Sequence, residues 1–198
     1  MRESRQTKRT SRRRGVNAWR LLAVLAAAFA SLARPGAQTP FSVTSPELRD
    51  GGRVSAAQRY GGGACHGENR SPALAWQNPP RGTRSYAITM FDLDAPGRGW
   101  WHWAVADIPA STTGLPANAS GSGFLGRLGA VEARNDFGGD GYGGPCPPPG
   151  KPHRYVITVY ALDTGRLRAA QGRPPQLFDH EISVSALAYA RLTVIDER

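Results

Sequence analysis

From Thr39 onward the chain is a succession of short β-favouring runs, each closed by glycine or proline, and that punctuation limits what it can fold into. Ser85-Tyr-Ala-Ile-Thr-Met-Phe91 alternates, with Tyr86, Ile88 and Met90 on one face and Ala87, Thr89 and Phe91 on the other. Arg154-Tyr-Val-Ile-Thr-Val-Tyr-Ala-Leu162 is the clearest strand, stopped by Asp163-Thr-Gly165. His102–Asp107 is a third strong strand, while Phe41–Ser45, Ser71–Gln77 and Ala190–Ile195 read as shorter ones. Gly61-Gly-Gly63 cannot sit inside a strand and must be loop. Residues 110–150 are rich in Gly, Pro, Ser and Asn without periodicity, which predicts a long loop. One helix of useful length is expected after Phe178, capped by Asp179 and with Glu181 in its first turn. Five to eight short strands and one late helix predict a mainly β fold, an antiparallel β-sandwich rather than a βαβ unit.

The 198 residues divide into a leader at 1–37 and a single domain at 38–198. Before Gln38 nine basic residues face one acidic residue, a net +8 of the total +10. The rest carries 16 basic and 14 acidic residues, net +2, so the charge gives no support to a nucleic-acid partner. Leu21–Ala33 is an apolar run of 13 behind that basic segment. It is shorter than the ~20 residues of a membrane-spanning helix and suits the apolar region of a signal peptide. An uncleaved N-terminal anchor is the alternative. Export to the periplasm or beyond is the expectation, with membrane contact only through the leader or a lipid ligand. An oxidising compartment would let the two cysteines, Cys65 and Cys146, pair. Two free thiols near the site are the other possibility.

The chemistry concentrates in Phe91–Trp103 and Gly141–Tyr155. On an extended chain Asp92 and Asp94 share a face, as do His153 and Tyr155, with Arg154 pointing the other way. Each group could instead be structural: aspartates capping a turn, histidines hydrogen-bonded to backbone, a core tyrosine. The functional reading rests on repetition, because a rigid Pro/Gly loop feeds polar groups onto a strand face twice. If the strands bring Asp92, His102, His153 and Tyr155 together, a carboxylate beside imidazole favours the charged ring. Imidazole N–H, phenol O–H and loop N–H groups are donors for phosphate-like oxygens, and tryptophans and prolines would keep water out. Affinity for an anion should then fall as pH rises through the histidine range.

Two Asp and two His are adequate ligands for zinc or iron, but no tight ligand pair such as His-x-x-x-His is present, and no metal is expected. A hydrolase would need a nucleophile, and the chain has neither a Gly-x-Ser-x-Gly elbow nor a cysteine with a recognisable histidine–acid partnership. No cofactor is implied, and the protein is not expected to be an enzyme, with a His/Asp hydrolase as the weakest alternative.

Phe91-Asp-Leu-Asp-Ala-Pro96, Trp101-His-Trp103 and Gly144-Pro145…Pro152-His-Arg-Tyr155 resemble the signature of phosphatidylethanolamine-binding proteins, and more closely that of their bacterial Raf kinase inhibitor-like branch. Cys65–Trp76, Pro80–Ser85 and Arg134-Asn-Asp-Phe137 resemble that branch too, so the likeness runs from about Phe41 to Val194. It implies an antiparallel β-sandwich with a few peripheral helices and a small cavity at one end for phosphate-like head groups. By motif, Asp92, His102, His153 and Tyr155 look like the pocket residues, Asp94 like their companion, and Gly144 and Pro145 like the loop shaping the mouth. Leu93 stands where the family usually has proline. The expectation is an exported, non-enzymatic binding protein for a phosphate-type anion or phospholipid head group. A protein–protein regulator of the kinase- or protease-inhibitor type, using the same pocket, is the alternative.

Overall fold

The computed structural model describes residues 39–198, and the leader reading lies outside the described residues. Among the described residues eight strands form two antiparallel sheets. β1 (Ser42–Thr44), β2 (Leu74–Gln77) and β5 (Gly114–Leu115) make a three-stranded sheet in the order β1-β2-β5. β3 (Ser85–Asp92), β4 (Trp100–Pro109), β6 (Val131–Glu132), β7 (His153–Leu162) and β8 (Ala186–Asp196) make a five-stranded sheet in the order β6-β4-β3-β7-β8.

The alternation in the sequence decides which residues fill each layer. Tyr86, Ile88 and Met90 of β3 join Ile157 and Val159 of β7 in the core between the sheets, against Val43, Leu74, Trp76 and Leu115. The opposite face of the large sheet is lined by small residues, Ala87, Ala104, Ala106 and Ala133. Short side chains there let α2 (Pro175–Ser185) approach closely and bury Phe178 and Ile182, one turn apart on one helix face. The described residues form a β-sandwich with a helix on its outer side.

Three local expectations are corrected. The helix starts at Pro175 rather than after Phe178, and its N-cap is Pro174, with no side-chain cap from Asp179. Proline in the first turn supplies a helical φ and forfeits an N–H that would have no intrahelical partner. The last strand begins at Ala186, directly after the helix, four residues before the expected Ala190. Residues 110–150 are not all loop, since they hold β5, β6 and the short α1 (Phe124–Arg127). These pieces are too brief to leave a period in the sequence.

Candidate functional site

Antiparallel pairing places the end of β3 beside the starts of both β4 and β7, with Asp92 opposite Trp100 on one side and Tyr155 on the other. The two chemical segments therefore meet at one end of the large sheet. Within β4, Phe91 pairs with Trp101 and Met90 with Trp103, so His102 is the extra residue of a β-bulge. Trp103 faces the core between the sheets, and Ala104 faces the helix. Strict alternation would send His102 to the helix side. The bulge turns it back beside Trp103, toward Asp92 and Tyr155.

There the structure brings together Asp92, His102, His153 and Tyr155, each at most 3% exposed. They line a cavity of about 240 Å³ walled by Ala95, Pro96, Trp100, Phe137, Cys146, Pro147 and Pro148. Nδ1 of His153 donates to Asp92 Oδ2 at 2.7 Å. Asp92 Oδ1 accepts the backbone N–H groups of Asp94 (2.8 Å) and Ala95 (3.0 Å). Thus Asp92 both caps the turn and holds a histidine. The N–H of Leu93 donates to the Arg154 carbonyl at 3.0 Å, a bond that a proline at that position could not make.

Nδ1 of His102 lies 2.6 Å from the Gly143 carbonyl and 3.1 Å from that of Gly144, while the Gly143 N–H donates back to the His102 carbonyl at 2.8 Å. Burial, only partly offset by these bonds and by the Asp92 charge, pushes the His102 pKa below its ordinary value. The Tyr155 hydroxyl lies near the Asp92 carboxylate but makes no hydrogen bond of full geometry among the described residues. Burial, reinforced by the Asp92 carboxylate, holds its pKa well above the usual phenol range, so it remains a donor.

Three predicted site residues stand apart from the cavity lining. β3 ends at Asp92, so the period-two argument stops there, and Asp94 turns outward to a bidentate pair with Arg154 (both bonds 2.9 Å). That guanidinium holds the Asp94 carboxyl well below the usual carboxylate range. Gly144 and Pro145 lie behind the wall. The Gly144 N–H donates to Asn69 Oδ1 at 2.8 Å, and Pro145 accepts from the Tyr60 N–H at 3.0 Å. A Cβ on Gly144 would overlap the Gln58 carbonyl. Cys65 and Cys146 form a disulfide that ties this wall to the glycine-rich loop.

Sequence reasoning missed the supports. Phe137 stacks on Tyr60 (centroids 4.1 Å) and meets His102 edge-on (5.4 Å). Asn135 braces the turn around Phe137 and also bonds the Gly141 carbonyl at 2.9 Å. Arg198 donates to the carbonyls of Pro147 and Ala64 at 3.1 and 3.0 Å. Only the Arg134–Phe137 motif could have signalled any of them.

The phosphatidylethanolamine-binding protein family model matches residues 44–195. The UPF0098 protein YbcL of Escherichia coli (strain K12) is 42% identical over 160 residues, spanning 79% of this chain and 87% of its own length. YbhB, of the same strain, is 40% identical over 153 residues, spanning 76% of this chain and 96% of its own length. The crystal structure of E. coli YbcL, described as a new member of the mammalian PEBP family, superposes with a TM-score of 0.77 at 41% identity. It covers 80% of this chain and 98% of that one.

Proposed function

The chain belongs to the phosphatidylethanolamine-binding protein family, and from that premise we propose that it is an exported, non-enzymatic binding protein whose cavity takes a phosphate-type anion, free or in a phospholipid head group. The observation that carries this reading is the buried cavity in which an Asp92-anchored His153 and the unpartnered Tyr155 hydroxyl sit among apolar walls. A phenol donor and an imidazole anchored by a carboxylate suit an oxyanion, because each bond is stronger where water is scarce. The one cysteine in the lining is tied up in the disulfide and is no free nucleophile. Export rests on the basic leader with its 13-residue apolar run.

Calorimetric titration with phosphate tests the site. Saturable binding is expected, weakened roughly tenfold or more in Asp92→Asn, which removes the carboxylate that anchors His153. Binding that is unchanged in the variant would contradict the assignment.

A further inference from the structure

A carbonyl oxygen can only accept, so the contacts from His102 Nδ1 to the Gly143 and Gly144 carbonyls keep a proton on Nδ1. His102 lines the cavity, and with that edge of the ring committed to the loop, Nε2 is the nitrogen left for a ligand. In a neutral ring Nε2 carries a lone pair and no proton. At 2% exposure the neutral ring is favoured, and burial does lower the His102 pKa.

The titratable groups around His102 are Asp92 of β3, His153 and Tyr155 of β7, and Asp136 beyond β6. The neighbouring guanidiniums are committed elsewhere, Arg154 to Asp94, Arg59 to Asp196 and Arg198 to the carbonyls of Pro147 and Ala64. Two wall donors, Tyr155 O–H and Trp100 Nε1–H, make no hydrogen bond of full geometry among the described residues. The Asp92 oxygens are taken up by His153 and the turn amides, so the cavity offers donors together with the acceptor at His102 Nε2.

A fully deprotonated phosphate would set an oxygen lone pair against the lone pair of His102. A phosphoryl O–H reverses that, donating to Nε2 while its other oxygens accept from the wall. Building on the anion-site reading, we propose that the cavity selects a singly protonated phosphomonoester, its P–O–H donated to His102 Nε2, over dianions and phosphodiesters. A diester has no phosphoryl proton to give. An intact phospholipid of that kind is therefore a poor occupant, and a small phosphorylated metabolite a good one.

Calorimetry with methyl phosphate and dimethyl phosphate, from about pH 5 to about pH 8 in buffers of different ionisation enthalpy, tests this. A phosphomonoester loses its second proton near pH ~6. Above that, methyl phosphate affinity should fall about tenfold per pH unit, with proton uptake approaching one per site. Dimethyl phosphate should bind roughly ten- to a hundredfold more weakly than methyl phosphate at the lower end of the range. Nitrogen-15 shifts should keep His102 as the neutral Nδ1–H tautomer in the methyl phosphate complex. Equal binding of the diester, or an imidazolium at His102 in the complex, overturns the proton assignment and leaves the anion site standing. No binding of either ligand at any pH removes the anion site, and this inference with it.

Discussion

Asp92 serves two neighbours with its two oxygens, Oδ1 capping the turn at Asp94 and Ala95, and Oδ2 holding His153. Asp92→Ala should therefore cost stability as well as affinity, on the order of 2 kcal/mol in a urea melt, because buried donors lose their acceptor. Asp94 differs. Its pair with Arg154 is largely solvated, so Asp94→Asn should change stability by less than about 1 kcal/mol and leave phosphate binding intact. Both His102 and Asp94 have depressed pKa values. Their contributions are present above the unfolded values, about 6.5 and 3.9, and are lost as pH falls below them. Melts should show stability first declining below about pH 6.5, and His102→Gln should remove that upper step. At this scale Asp92, His102, His153 and Tyr155 were legible in the sequence because motifs bracket them. Asp94 lies two residues beyond the end of the strand, where alternation no longer sets the direction of a side chain.

At the scale of elements, the orientation of His102 depends on a bulge whose register is set by the partner strand, and one strand read alone cannot show it. The strand faces of β3 and β7 were legible because they repeat over eight and ten residues. The start of α2 was misplaced because Asp179 looks like a cap, whereas Pro174-Pro175 sets the boundary. The Gly143–Pro145 loop is the wall's hidden support, packed against a segment more than 80 residues away in sequence. Gly144→Ala should destabilise by roughly 2 kcal/mol or more, since backbone must move to admit the methyl group. Phe178→Ala provides the contrast: a cost of about 3–5 kcal/mol by thermal melt, with phosphate affinity retained wherever the protein stays folded.

At the scale of the whole molecule, the Cys65–Cys146 disulfide closes a loop with a sequence separation of 81, which restrains the unfolded chain by on the order of 4 kcal/mol. Reduction should lower Tm by roughly ten degrees. It should also weaken phosphate binding, because Cys146 is part of the cavity wall. The family of the chain fixes the sandwich, and the end-on meeting of three strands makes the cavity. The central claim is that this cavity receives a phosphate-type anion. The chain's four histidines allow a direct test, since His66 and His180 lie outside the cavity lining and serve as internal references. NMR spectra of the imidazole signals should be followed as phosphate is added at constant pH and ionic strength. The account predicts saturable shifts at His102 and His153 with His66 and His180 unmoved; no shift at the two cavity histidines, or equal drift of all four, would contradict it.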